Sequence, residues 1–311
     1  MQKNIAIGVD IGGSHISCAA IDLNRHELIP GTVSEKDINN KDTAEIILSG
    51  WALALEKTLS GIDRSRLSGI GFAMPGPFDY PNGIALFERV EKFESLFGIS
   101  IIDEMRKRLK LDADTRIRFI NDATSFAIAE SWIGKGKDYE RVLALTLGTG
   151  FGSAFIDKGV PVIDGNSVPA SGCVWHLPFK DGIADDYFST RWFVRSYEAI
   201  TGKKVQGVKE IADSFESDPA SRELFFEYGS NMGHFLAPWV KKFNAGVIVI
   251  GGNITGSYQL YGNFLQEALL SEGANTVVSI SELKESAAII GSARLIDDQF
   301  WSKVVDLLAK M

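Results

Sequence analysis

Apolar positions along the chain fall into short continuous runs and longer four-residue stripes, which separate strands from helices. Ile5-Ala6-Ile7-Gly8-Val9 predicts a strand, interrupted by Asp10-Ile11-Gly12-Gly13-Ser14. Ile16 to Asp22 alternates like a second strand, and so short a connection predicts an antiparallel neighbour. Asp42-Thr43-Ala44-Glu45 has the spacing of a capping box and predicts a helix start. Ile47, Trp51, Leu55 and Leu59 then recur as one stripe for burial. Leu67 to Ala73 reads as a strand stopped by Met74-Pro75-Gly76-Pro77. A helix is expected from Ile101 to Leu109, a strand from Ile117 to Ile120, and a helix from Asn121-Asp122 to about Trp132.

The opening pattern returns about half a chain later. Val142 to Leu147 is again an apolar strand, Gly148-Thr149-Gly150 again a glycine turn, and Gly152 to Asp157 again a returning strand. Asp10 of the first copy corresponds to Thr146 of the second, and both return strands end in Ile-Asp. The repeat implies two lobes of related α/β fold. With no Pro-rich or Ser-rich linker, the lobes are expected to lie close, with a cleft between them. The second lobe continues through an irregular stretch at 160–184, a helix starting near Asp185, and a buried-type strand at Gly246 to Ile250 followed by Gly251-Gly252-Asn253. Residues 286–308 read as helical, with Gly291 as a weak point. The expected division is 1–120 for the N-terminal lobe and 121–291 for the C-terminal lobe, with a final helix at about 292–311 packing back on the first.

Composition narrows the function classes. At 311 residues, about two domains are expected, each able to bury its own core. Forty acidic against 32 basic residues give a net charge of −8, the wrong balance for a general nucleic-acid binder. Two cysteines, Cys18 and Cys173, cannot form a disulfide framework and fit a reducing compartment. The opening Met1-Gln2-Lys3-Asn4-Ile5 lacks the apolar core of a signal peptide, and no run is long enough to span a membrane. A cytoplasmic location with no membrane or nucleic-acid partner is expected.

The glycine turns are the first candidate site. Glycine lets backbone approach a ligand, and exposed N–H groups in such turns bind anions. One such turn alone is a hairpin; two at equivalent points of a duplicated chain suggest a pair facing each other over the phosphates of one nucleotide. A carboxylate at Asp10, beside phosphates, implies an intervening Mg2+ held through water. Neither a Walker A sequence nor a Rossmann glycine fingerprint occurs in the right context. Asp122, where a strand meets a helix, is either a helix cap or a carboxylate at the rim of an open sheet. A carboxylate there can take the proton of an attacking hydroxyl in phosphoryl transfer. Gly251-Gly252-Asn253 is either a strand-to-helix turn or a close-packed wall for a nucleoside. Cys173 and His176 supply two potential metal ligands, whereas a structural zinc site needs four, so zinc is not expected.

These elements, in this order, resemble the repressor, open reading frame and sugar kinase (ROK) family. The resemblance covers nearly the whole chain. Asp10 to Ser14 is similar to the first phosphate motif, and Leu147-Gly148-Thr149-Gly150-Phe151-Gly152 to the second. Met74-Pro75-Gly76-Pro77 resembles the loop bordering the sugar, Asn121-Asp122-Ala123 the Asn-Asp-Ala that carries the general base, and Ile248 to Asn253 the adenosine motif. The resemblance implies two ribonuclease-H-like lobes of the sugar kinase, heat-shock protein and actin superfamily with an interlobe cleft. It also implies ATP and Mg2+ as cofactors, a sugar as substrate, and a homodimer. Carried over, Asp122 is the catalytic base, and Gly76, Asn121, His176 and Asp185 contact the sugar. Asp10, Gly12, Gly13, Ser14, Gly148, Thr149, Gly150, Gly251, Gly252 and Asn253 contact the nucleotide.

The chain also departs from the family pattern. Cys173 stands where most members carry the first Glu of Gly-Glu-x-x-His, and no cysteine lies between His176 and Asp185, so the zinc cluster is missing. Asp185 replaces a sugar-binding Glu, and His15 stands where Lys is common. A thiol cannot replace a carboxylate as a bidentate acceptor of sugar hydroxyls, so an amino sugar, an N-acyl sugar or another hexose suits the pocket better than glucose. The expected activity is ATP-dependent phosphorylation of a sugar hydroxyl. The alternative within the family is a non-catalytic regulator that binds sugar or nucleotide. A DNA-binding member would need a helix-turn-helix domain before Asp10, where only nine residues stand. A polyphosphate donor would need a basic track beside the phosphate turns, and the sequence shows no such run.

Overall fold

The first apolar run forms β1 (Ile5–Ile11) and the alternating run forms β2 (His15–Asp22), paired antiparallel from Ile5↔Asp22 to Ile11↔Ile16. The computed structural model describes residues 3–311; Met1 and Gln2, at the head of the segment read against a signal peptide, lie outside them. β3 (Glu27–Leu28), β4 (Ser34–Asp37), helix α1 (Ala44–Ser60), β5 (Leu67–Met74) and the small β6–β7 pair (Phe78–Asp79, Ile84–Ala85) follow. Helix α2 (Ile101–Leu109), β8 (Arg116–Asn121) and helix α3 (Asp122–Trp132) continue the chain. One sheet has the order β3-β2-β1-β5-β8, with β4 also on β2, and β1, β5 and β8 run parallel.

The second sheet repeats that order. β9 (Arg141–Leu147), β10 (Phe151–Asp157) and β11 (Val160–Val162) come first, then the β12–β13 pair (Pro178–Phe179, Gly182–Ile183). Helices α4 (Ala184–Tyr187), α5 (Thr190–Thr201), α6 (Val208–Asp213) and α7 (Pro219–Phe243) precede β14 (Val247–Gly251), α8 (Tyr258–Ser271) and β15 (Val277–Ile280). The order is β11-β10-β9-β14-β15: an antiparallel hairpin, then two parallel neighbours, as in the first sheet. Asp10 pairs with Ala73 of β5, and Thr146 with Gly251 of β14, so the two positions are equivalent in the ladders as they are in the sequence repeat. Helices α9 (Ser286–Arg294) and α10 (Asp298–Val304) end the chain.

Two compact units result. One comprises the residues up to Ala129 together with Glu285–Met311, the other Glu130–Lys284. These bounds differ from the expected 121 and 291. The first turns of α3 stay with the first sheet because Ser125 Oγ donates to Ala288 O at 2.7 Å, and α9 already packs on β1 and β5. In the first unit, α1 covers β2 and β4 with Ile47, Trp51, Leu55 and Leu59 buried. The second unit buries Leu143, Leu145, Ile248 and Ile250 of its sheet with Phe225, Tyr228, Met232 and Leu236 of α7. Among the described residues, no helix is long and apolar enough to cross a membrane.

Two local expectations fail for physical reasons. The capping box at the head of α1 does not form: Thr43 makes no side-chain cap bond. Glu45 is taken instead by Arg108, at 2.6 Å, and by Ser49, at 2.9 Å, while Asp42 accepts from Asn39. The C-terminal helix breaks at Leu295–Asp297 and not at Gly291, because Asp297 caps α10 by accepting from Gln299 N and Phe300 N. Gly291 has another use. A Cβ there would lie 1.8 Å from Ser125 O, and Cβ atoms at Gly8 and Gly71 would lie 1.8 Å from Ile289 O and 1.9 Å from Ser292 O. Helix α9 therefore meets β1, β5 and α3 backbone against backbone. Gly291→Ala is expected to lower unfolding stability by about 3 kcal/mol, the upper end for overpacking a closed contact; the urea midpoint measures it.

Candidate active site

In the first unit, Asp10, Met74 and Asn121 lie at the carboxyl ends of the adjacent parallel strands β1, β5 and β8. That end of an open α/β sheet is where ligands bind. The turn after Asp10 is closed by Gly12 N donating to His15 O at 2.9 Å. Gly13 and Ser14 are exposed; Gly13 O accepts from Asn40 Nδ2, and Ser14 Oγ lies 3.4 Å from His15 Nδ1. Ser292 fixes the strand just before the turn: its Oγ accepts from Val9 N at 3.1 Å.

Asn121 is the helix cap. Its Oδ1 accepts from Thr124 N at 3.2 Å, the bond expected of an N-cap residue. Asp122 is therefore free of the capping role. Its Oδ1 accepts from Ala123 N at 2.8 Å and from Asn121 Nδ2 at 3.0 Å. Among the described residues, Oδ2 has no hydrogen-bond partner. A half-buried carboxylate is thus held by one oxygen with the other open.

Tyr80 completes this group and had no signal in the sequence beyond its place four residues after Gly76. It is buried, its hydroxyl donates to Met74 O at 3.0 Å, and Asn121 Nδ2 lies 3.5 Å from the same oxygen. Gly76 is half-buried, and a Cβ on it would come within 3.7 Å of that hydroxyl. Burial, then the charge of Asp122, pushes the Tyr80 phenol well above its ordinary range. Asp10 feels the same crowding. Burial first, then Asp122 and Glu285, raise its carboxyl from 3.8 to about 7. Glu285, just before α9, is a second residue that sequence patterns do not single out.

The remaining candidates lie in the second unit. Gly148 N donates to Gly150 O at 3.1 Å, Thr149 is exposed, and a Cβ on Gly148 would meet no atom within 4 Å. The turn is thus open on that side. Gly251 ends β14, and Gly252 (φ +88°) presses so closely on the end of β9 that a Cβ would lie 2.3 Å from Leu147 O. Only glycine fits there. This contact sets exposed Gly252 and Asn253 beside the turn that follows Leu147. His176 Nδ1 lies 3.6 Å from Cys173 Sγ, and burial pushes that thiol up to about 11. Asp185, expected against a sugar, has both carboxylate oxygens engaged: Oδ1 accepts from Phe151 N at 2.6 Å and Oδ2 pairs with Arg191 Nη2 at 2.5 Å. Among the described residues, no group of three or more His, Cys, Asp or Glu side chains is arranged to hold a metal ion.

Comparison with known proteins agrees with this architecture. The ROK family model matches residues 6–299. The glucokinase of Thermotoga maritima is 25% identical over 334 residues, covering 96% of this chain and 99% of its own length. The beta-glucoside kinase of Listeria innocua is 26% identical over 289 residues, covering 88% and 95%. The crystal structure of a ROK family glucokinase from Streptomyces griseus, in complex with glucose and AMPPNP, superposes with a TM-score of 0.71 at 21% identity, over 94% of this chain and 98% of that one. The fold is that of the sugar kinases, and the chain belongs to the ROK family.

Proposed function

We propose that this ROK-family sugar kinase transfers the γ-phosphoryl group of ATP to a sugar hydroxyl, with Asp122 as general base. The observation that carries the reading is the open Oδ2 of Asp122, on a carboxylate that Asn121 relieves of capping. Asp122 accepts the proton of the attacking hydroxyl as the oxygen–phosphorus bond forms and the bridging bond to ADP breaks. Gly76 and Asn121 contact the sugar, and His176 is a further sugar contact. The exposed backbone at Gly13, Ser14 and Thr149 supplies N–H donors to phosphates, Gly12, Gly148 and Gly150 shape the two turns around them, and Gly251, Gly252 and Asn253 form a wall for the adenosine. Asp10 suits a magnesium ion, since a cation would offset the crowding of three carboxylates. Asp10 would hold it through water, and it would supply charge neutralisation at the phosphates.

Position 173 bears on the choice of sugar. The thiol stays protonated at neutral pH and faces His176, so this wall offers no carboxylate to a pair of sugar hydroxyls. A hexose modified at the matching position, such as an amino or N-acyl sugar, is favoured. ADP release from Mg-ATP across hexoses, amino sugars and N-acyl sugars tests the reading. One sugar raising the rate well above background supports it; silence across the panel with nucleotide binding intact overturns it.

Tyr80→Phe removes a donor to Met74 O and an acceptor near Asn121 without changing shape. The expected result is a rise of about fivefold in sugar KM, near 1 kcal/mol for one hydrogen bond, with a smaller change in kcat and none in the KM for ATP. Steady-state kinetics with each substrate varied in turn separate these.

A further inference from the structure

The second glycine turn is braced from the start of α5. Thr190 N donates to Gly148 O at 2.8 Å, and Asp185 Oδ1 accepts from Phe151 N at 2.6 Å, so both ends of the turn are bonded to one short segment. Asp185 N in turn donates to Trp175 O at 3.0 Å, which ties the loop carrying His176 to the same point. The other oxygen of Asp185 holds Arg191 Nη2 at 2.5 Å. The Arg191 side chain remains 58% exposed, and among the described residues its Nε and Nη1 make no hydrogen bond.

A lone exposed ion pair adds little to stability, so stability is a weak reason for this arrangement. Its geometry suggests another. Asp185 is fixed by a backbone donor of the turn and holds a guanidinium whose other nitrogens keep unused N–H groups. The turn is open on the Gly148 side. A planar guanidinium with unused N–H groups is suited to bidentate contact with phosphate, and a neutral sugar offers no such anion.

We infer that Arg191 is a phosphate ligand of the second glycine turn, with Asp185 as its positioning residue. The inference rests on the reading of that turn as a nucleotide-phosphate site. It places a cation at the phosphoryl donor that no basic run along the sequence signals, because it is a single side chain brought in by the fold.

Titration calorimetry with AMPPNP and with adenosine tests it on the whole chain without turnover. Arg191→Gln is expected to weaken AMPPNP at least tenfold and leave adenosine unchanged, with Arg191→Lys recovering part of the loss. Asp185→Asn, which keeps an acceptor for Phe151 N but removes the anchor, is expected to weaken AMPPNP by a smaller factor. AMPPNP binding within twofold of the parent protein in the Arg191→Gln variant overturns the inference, as does an equal loss of adenosine binding. A rise in sugar KM with AMPPNP affinity unmoved also overturns it and assigns the guanidinium to the sugar. Absence of ADP release with every sugar in the parent protein would defeat the kinase reading and leave this binding test intact.

Discussion

Asp122→Asn is expected to lower kcat by about 10³-fold, within the range for loss of a general base. The substitution keeps the side-chain shape, and an amide oxygen can still accept from Ala123 N. What it loses is an oxygen able to take a proton. Helix α3 should still start in place, because its cap is Asn121. AMPPNP affinity and thermal stability are therefore expected to stay near those of the parent protein while ADP release collapses. Turnover within tenfold of the parent protein would remove Asp122 from the chemistry.

Asp10→Asn should separate function from stability. Burial, with Asp122 and Glu285 adding to it, raises this carboxyl from 3.8 to about 7. A folded-state value above the unfolded one means that the folded protein binds the proton more tightly. Stability is therefore undiminished below about 3.8, falls as pH rises through the window to about 7, and stays lower above it. A shift of that size corresponds to about 4 kcal/mol, and solvent reaching the half-buried group reduces this to about 2 kcal/mol. The D10N variant without nucleotide is expected to melt about 4 °C higher than the parent protein at pH 8. The gain should shrink steadily at lower pH. Sugar phosphorylation should fall by about 10²-fold, since an amide cannot balance a cation at the phosphates. Melting curves across pH and ADP-release rates check both halves. A melting point at pH 8 that is unchanged or lower would show that the three carboxylates do not strain the free protein.

The strands, the α1 stripe and the duplicated hairpins are legible in the sequence because apolar period and glycine turns are local signals. The equivalence of Asp10 and Thr146 could be read from the repeat and reappears in the strand ladders. What failed depends on distant partners. Glu45 has the right spacing for a capping box, but Arg108, far along the chain, takes its carboxylate. Gly291 looks like a weak point in a helix until Ser125 O is brought against it. The candidate site divides the same way. Asn121-Asp122 and both glycine turns announce themselves by residue type and context. Tyr80, Glu285 and Arg191 belong to no motif and gain their places only through folding. Asp185 is read from the sequence as a sugar contact, and its engagement with Phe151 N and Arg191 leaves no local trace there.

The segregation of the chain into one continuous and one interrupted unit bears on how the protein comes off the ribosome. The unit made of Glu130–Lys284 is complete in sequence as soon as its last residue has emerged. The first sheet is synthesised earlier but lacks α9 until residues 285–311 follow. Until then, Gly8 and Gly71 mark a stretch of β1 and β5 with no side chain to cover it. Nascent chains commonly mature from the N-terminal domain onward. Here the first half to be translated should be the last to mature, and a released chain truncated after Lys284 should carry a protease-sensitive first lobe and a resistant second one.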